Sequence, residues 1–251
     1  MNKIKKWEWI RRVVQLAAFL VVPSLFSQAF RGAKNILIEM GQGQPLNVDL
    51  FLITLCSVCA LTIVFGRFFC GWLCAFGTLG DYLYAFCQWI RKKTGKKLPK
   101  IPAAAENAGR HFKYIVLLLL LILCFGQKDE WITKYSPWTA FSFLTAGNVK
   151  MAVQSGGILV LTLIIVGMCF KERFFCEFIC PLGAVFSFLP RLPFGYLKRG
   201  KNCREGCQAC RSMCPVSIKL QEEPLKDGEC IACMRCRNIC PQNNISFQNK
   251  K

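Results

Sequence analysis

The chain has 251 residues, with 33 Lys and Arg against 14 Asp and Glu, and a formal net charge of +19. Its mean hydropathy of +0.34 is too high for an ordinary soluble domain. The basic residues flank apolar runs instead of forming one stripe, which makes nucleic acid a poor partner.

Four apolar runs follow one another: Ile10–Phe30, Asp49–Gly66, Phe112–Phe125 and Gly157–Phe170. A helix crosses a bilayer with about 20 mainly apolar residues. The first two runs reach or approach that length. The third is expected to recruit Trp131 and Ile132, and the fourth Met151–Val153. Leu117–Leu123 reads LLLLLIL, which argues against buried soluble helices. Lys3, Lys5, Lys6, Arg11 and Arg12 precede or open the first run. Arg91, Lys92, Lys93, Lys96, Lys97 and Lys100 separate the second and third, and Lys198, Arg199 and Lys201 follow the fourth. The two remaining loops carry only Arg31 and Lys34, then Lys128, Lys134 and Lys150. The positive-inside rule then places both termini in the cytoplasm. The basic start and Ser27-Gln28-Ala29 also fit a signal peptide, but the first run is long for one, so a retained span is favoured. Cleavage would leave the later spans oriented as before.

The second and fourth runs lead into a repeat. GRFFCGWLCAFGTLGDYL (Gly66–Leu83) matches ERFFCEFICPLGAVFSFL (Glu172–Leu189) through a shared R-F-F-C-x3-C-x2-G. Each half holds two spans, so the copies share one orientation, like parallel repeats about the membrane normal. Repeat 1 covers about residues 8–90 and repeat 2 about 110–190, within a membrane domain of residues 1–197. Cys70/Cys74 and Cys176/Cys180 are i,i+4 pairs, which on a helix share one face. Pseudo-symmetry would bring the four thiolates around one site, the ligand count of a third iron–sulfur cluster. Small cysteines packed between helices, two separate two-cysteine sites, or a disulfide redox role are the alternatives. Arg67 and Arg173 stand ready to offset thiolate charge, and Gly77 and Gly183 permit close backbone approach. Cys56, Cys59, Cys87, Cys124 and Cys169 are expected to pack as small core residues.

Residues 198–251 are polar and cysteine-dense. Cys230, Cys233, Cys236 and Cys240 read C-x2-C-x2-C-x3-C-P, the spacing of a bacterial ferredoxin that binds [4Fe–4S]. Cys203, Cys207, Cys210 and Cys214 read C-x3-C-x2-C-x3-C-P, with one extra residue among Arg204, Glu205 and Gly206. In two-cluster ferredoxins the fourth cysteine of each run ligates the other cluster. Applied here, Cys203, Cys207, Cys210 and Cys240 hold one cluster, and Cys230, Cys233, Cys236 and Cys214 the other. A tail of roughly 50 residues cannot bury a sufficient core, so metal must organise it. Zinc in a four-thiolate site is the alternative, but zinc sites usually pair two C-x2-C knuckles. The odd total of 17 cysteines argues for a reducing compartment, not a disulfide scaffold. The tail's basic residues (Arg204, Arg211, Lys219, Lys226, Arg235, Arg237) outnumber its acids (Glu205, Glu222, Glu223, Asp227, Glu229). They suit an acidic carrier such as a cytoplasmic ferredoxin or flavodoxin, or anionic lipid.

One histidine, His111, cannot provide bis-histidine haem ligation. There is no C-x-x-C-H, no dinucleotide fingerprint and no P-loop. No catalytic residue is assigned. The chemistry left is electron transfer, joined to proton release if quinol is the donor. Glu39, Asp49, Asp129 and Glu130 read as outer loop acids. Trp131, Tyr135 and Trp138 read as interfacial anchors or as the floor of a flat-ring site.

The repeated R-F-F-C-x3-C segments after paired spans, followed by a two-cluster ferredoxin tail, resemble the membrane polyferredoxins of the NapH, NosR and CcoG type. The compact NapH-like branch, a quinol dehydrogenase subunit, fits best, because the chain lacks the large flavin domain of the NosR group. Ala75 departs from the pattern where Pro181 follows it. The resemblance implies an all-α membrane protein of four transmembrane helices in two parallel repeats, plus an α+β ferredoxin domain. It implies two [4Fe–4S] clusters and a third at the membrane edge, in a multi-pass protein of the bacterial inner membrane. Such a protein relays electrons between the quinone pool, or a cytoplasmic carrier, and other redox subunits. The second expectation is a redox sensor or a maturation factor for a membrane metalloenzyme.

Overall fold

In a computed structural model of the chain, the first apolar run breaks in two. Helix α1 (Asn2–Val21) gives way to α2 (Leu25–Gln42) around Pro23, and the two axes differ by 64°. Proline has no N–H and clashes with the preceding turn, so a bend there is expected. The structure describes residues 2–23, 25–43, 45, 48–95, 102–126, 129–189, 197–200, 203, 206–218 and 228–247. Lys96, Lys97, Lys100, Lys128, Lys201, Arg204 and Glu205 lie outside the described residues, as do Lys219, Glu222, Glu223, Lys226 and Asp227.

Helix α3 (Leu50–Phe65) opens on Asp49, whose carboxylate accepts from the Leu50 amide at 2.6 Å, a local N-cap. It stops at Gly66, where φ is +69°. A short α4 (Phe68–Trp72) leads into α5 (Ala75–Thr94), which ends on Arg91, Lys92 and Lys93 beside the negative end of its dipole. The second half follows as α6 (Ala103–Phe125), α7 (Asp129–Tyr135), α8 (Pro137–Thr145), α9 (Val149–Gln154) and α10 (Gly157–Phe170). A π-helical turn (Phe175–Ile179) and α11 (Pro181–Phe188) complete it. In the tail, β1 (Leu197–Arg199) pairs antiparallel with β2 (Ile245–Phe247), flanking α12 (Ala209–Ser212) and α13 (Arg235–Ile239).

Among the described residues one helix, α6, is long and apolar enough to cross a membrane; counting α1 and α2 as one bent passage makes two. Helices α3 and α10 are apolar but shorter. The third span gains its length upstream, from Ala108, and not from Trp131 and Ile132, which belong to the separate α7. Met151–Val153 sit in α9, cut off from α10 at Ser155, so the fourth span does not recruit them. Only 11% of the Ala108–Phe125 window is buried. Ile115, Leu118, Leu119 and Ile122 face outward, as do Leu159, Leu163 and Val166 of α10 and Ile53 and Leu61 of α3. An exposed apolar belt of this extent is the opposite of a soluble core helix.

Helix α2 packs on α3 and α6, and α10 packs on α5 and α8. Rings fill the centre: Phe76 stacks on Phe175 at 4.7 Å between centroids, and Phe30 on Trp138 at 4.2 Å. Trp138 is buried, so it is no interfacial anchor, whereas Trp131 and Tyr135 are exposed and stack on each other at 5.7 Å.

Candidate functional site

Each R-F-F-C-x3-C segment starts helically and then breaks. The amide of Cys74 donates to the Phe69 carbonyl at 2.9 Å, and the amide of Cys180 to that of Phe175 at 2.9 Å. Both are five-residue closures of the π type, a feature concentrated at functional sites. The two cysteines of a pair therefore do not share one helical face. Cys70 and Cys176 sit in the helical turn, while Cys74 and Cys180 become the N-caps of α5 and α11. The Gly183 amide donates to Cys180 Sγ at 3.2 Å, whereas the Cys74 side chain makes no such cap bond. Pro181 fills the first helical position, where proline is favoured, and Ala75 fills it in the first copy with the same backbone result.

All four thiols are buried, and each lies within electrostatic reach of the others. Burial pushes Cys74 and Cys180 well above the ordinary thiol range, with Cys176 and Cys70 adding to the rise in both. Burial likewise lifts Cys176 to about 11. Positive charge bound among them, as iron would supply, would favour the thiolate form.

The arginines cross over between repeats. Arg173 Nη1 donates to the Cys70 carbonyl at 2.6 Å, and its guanidinium lies on Gly77, where a Cβ would collide with it. Arg67 lies against Gly183 in the mirror arrangement. Both are about 1% exposed. Arg173 is answered by Asp81 at 2.7 Å, which also accepts from Arg11 at 3.0 Å and Gln15 at 2.8 Å. Burial alone would raise the Asp81 carboxyl, but Arg173 and then Arg11 outweigh it and hold it low. Repeat 2 has Ser187 where repeat 1 has Asp81. Arg67, which crosses from repeat 1 to within 3.4 Å of Ser187, pairs instead with Glu229 of the tail at 2.7 Å. Lys113 also pairs with Glu229, and Ser187 Oγ donates to it at 3.0 Å. Burial again opposes ionisation, and Arg67 followed by Lys113 brings Glu229 down to about 2.

The tail docks on this platform. Trp72 Nε1 donates to the Ala232 carbonyl at 3.1 Å, and a Cβ on Gly71 would strike the Ile231 carbonyl. Arg110 donates to the Val216 carbonyl at 2.6 Å, and Arg235 pairs with Glu172 at 2.6 Å. Arg235 is thus spent inside the protein and is not a surface charge for a carrier. One tail pocket gathers Cys214 with Cys230, Cys233 and Cys236, over Val216 and Ile218. Four cysteines around one pocket are the donor set of a [4Fe–4S] core, and the crossing Cys214 is among them. The Ile218 amide donates to Cys214 Sγ at 3.4 Å and the Asn244 amide to Cys240 Sγ at 3.3 Å. Both Cys-Pro turns place a residue at positive φ, Ser217 at 50° and Asn243 at 51°. Of the other proposed set, Cys210 is buried, and Cys203, Cys207 and Cys240 are half-buried. Among the described residues no three His, Cys, Asp or Glu side chains are grouped closely enough to hold a single metal ion.

At the other end of the core, Ser27, Phe30, Arg31, Lys34, Trp138 and Ser142 help line a cavity of about 280 Å³. The buried Trp138 Nε1 has no hydrogen-bond partner. Trp138 lies 6.1 Å from Phe175, ring to ring, and Phe175 adjoins Cys176.

Sequence reasoning missed Asp81, Lys113 and Ser187, and it counted Glu229 only as tail charge. The signal was present for two of them, since aligning the repeats sets Asp81 opposite Ser187.

A family described as a 4Fe-4S binding domain matches the chain twice, at residues 50–97 and 153–200, which are the two cysteine-pair repeats and not the ferredoxin-like tail. An uncharacterized protein of Methanocaldococcus jannaschii is 32% identical over 98% of this chain and 97% of its own length. Regulatory protein NosR of Stutzerimonas stutzeri is 29% identical over 85% of this chain, which spans 30% of that protein. Ferredoxin-type protein NapH of Escherichia coli is 24% identical over 73% of this chain and 62% of its own length. No solved structure is a significant match.

Proposed function

The chain belongs to the membrane polyferredoxin family of the NapH/NosR type, and from that membership we propose that it relays single electrons between a membrane quinone and a redox partner through three iron–sulfur centres. It is an iron–sulfur electron-transport protein. In the proposed form it is a four-span protein of the cytoplasmic membrane with both termini inside, residues 1–197 being the membrane domain and 198–251 the ferredoxin domain. Cys203, Cys207, Cys210 and Cys240 hold one cluster, and Cys230, Cys233, Cys236 and Cys214 the second. Cys70, Cys74, Cys176 and Cys180 hold the third. Bound clusters supply one-electron steps at fixed positions.

The observation that carries this reading is the docking of the Ile231–Cys233 stretch onto Gly71 and Trp72, between Cys70 and Cys74. It sets the pocket of Cys230, Cys233 and Cys236 beside the membrane-edge thiols. The cavity at Trp138 supports quinone as the membrane-side reactant. It offers an aromatic wall from Phe30 and Trp138 beside polar groups of Ser27, Arg31 and Ser142, the mix expected of a small-molecule site. Quinol oxidation releases two electrons and two protons, so each quinol reduces two clusters by one electron each.

Anaerobic iron and sulfide counts test the cluster number: about 12 of each per chain for three [4Fe–4S] centres and about 8 for two. Quinol added to the purified protein is expected to reduce the clusters. Clusters that dithionite reduces and quinol leaves oxidised would favour the sensor or maturation role instead.

A further inference from the structure

The two repeats neutralise their buried arginines in different ways. Arg173 crosses from repeat 2 and finds its carboxylate in the membrane half itself, in Asp81, two turns into α5 of repeat 1. Arg67, which crosses the other way, does not. Ser187 occupies the matching place on α11, and a hydroxyl cannot balance a guanidinium. The missing carboxylate arrives from the tail as Glu229, which lies between Arg67, Lys113 and Ser187. Arg67 is 1% exposed and the Lys113 side chain 0%. Without Glu229, two buried cations would face each other with no anion between them, an arrangement proteins avoid.

Glu229 is also fixed to the docking contact. Gly228 before it lies so close to the Ser187 carbonyl that a Cβ would strike it. Cys230 after it lines the tail pocket. Ile231 and Ala232 then cross to Gly71 and Trp72 of repeat 1. Five consecutive residues therefore bridge the two repeats, with the carboxylate second among them.

We propose that Glu229 is a positioning residue: it supplies from the tail the carboxylate that the second repeat lacks, so that neutralising Arg67 and seating the tail's cysteines beside Cys70 and Cys176 are a single event. The tail then has one preferred seat, defined by charge as well as shape. An undocked tail leaves Arg67 and Lys113 unmatched, so the membrane half itself favours the docked state. This goes beyond the relay and rests on it only for the spectroscopic readout, which needs a centre at the membrane edge.

The test compares Glu229→Gln with Ser187→Asp/Glu229→Gln in the full-length, cluster-loaded protein. Docking is read by hydrogen exchange of residues 228–236, and by the magnetic interaction between reduced tail and membrane-edge clusters. The single variant is expected to lose exchange protection and the interaction while retaining the iron content of the parent. The double variant returns a carboxylate to repeat 2, so it is expected to regain the parent's melting temperature but not the docking. Full docking in Glu229→Gln would overturn the proposal. So would restored docking in the double variant, which would reduce Glu229 to a counter-ion. Should the single variant fail to fold, the double variant alone decides. A parent with iron for only two clusters would sink the three-centre relay and leave the exchange measurement on Glu229 valid.

Discussion

Replacing Asp81 with Asn keeps the shape of the side chain and removes its charge. One oxygen of Asp81 accepts from Arg173 at 2.7 Å, Gln15 at 2.8 Å and Arg11 at 3.0 Å, and both arginines are at most 2% exposed. An Asn oxygen still accepts hydrogen bonds, but the two guanidinium groups then lose their shared carboxylate, and Arg11 keeps only the looser pair with Glu8 at 3.9 Å. Breaking a buried ion pair from one side costs about 3–5 kcal/mol. For a chain of this size that lowers the melting midpoint by roughly 6–20 °C. The measurement is thermal unfolding in detergent under anaerobic conditions, followed by helical circular dichroism and by loss of the visible iron–sulfur absorbance. Asp49→Asn is the control, because Asn caps a helix as well as Asp does and the change should be near zero. Asp81 also borders a polar cavity of about 710 Å³ beside the tail. If water there screens the network, the pair is worth what an exposed bridge is worth, under about 1 kcal/mol. An Asp81→Asn protein that melts within about 2 °C of the parent would therefore refute a tightly coupled interior network.

Cys70→Ser should remove one cluster's worth of iron and sulfide and leave the tail centres intact; unchanged iron would eliminate the membrane-edge site. Cys214→Ser should spoil the cluster of Cys230, Cys233 and Cys236, and Cys240→Ser the other, as resolved by their separate paramagnetic signals; the reverse outcome would disprove crossed ligation. Gly71→Ala should push the Ile231 carbonyl off its seat at a cost of about 1–3 kcal/mol, seen as faster hydrogen exchange in residues 229–236. Stripping iron with acid and a chelator should unfold the tail while the helices of the membrane half persist, since the tail has too little apolar core to hold itself.

What the chain revealed in advance is what local spacing encodes. The repeat and the Cys-Pro turns follow from intervals of two or three residues, and Cys214 shares a pocket with Cys230, Cys233 and Cys236. The break between Cys70 and Cys74 was not legible, because an i,i+4 spacing suits a straight helix as well as a capped one. The pairing of Arg67 with Glu229 spans 162 positions, and no periodicity reports on it. The true start of the third span was hidden by Arg110 and Lys113, which look like the end of a polar loop. In the fold they are spent on Glu177 and Glu229. Trp138 misled for a similar reason: an aromatic near a helix end resembles a headgroup anchor until a partner such as Phe30 covers it.

Helices α3 and α10 have 16 and 14 residues, which at 1.5 Å each reach about 24 and 21 Å. A typical hydrocarbon layer is about 30 Å thick. In the proposed four-span form, lipid beside their outward Leu and Val side chains would have to compress to meet them, at a fraction of a kcal/mol per Å. A dimple of this kind would narrow the insulating gap between the two aqueous phases beside the proposed relay. The same mismatch would favour thinner membrane over thicker.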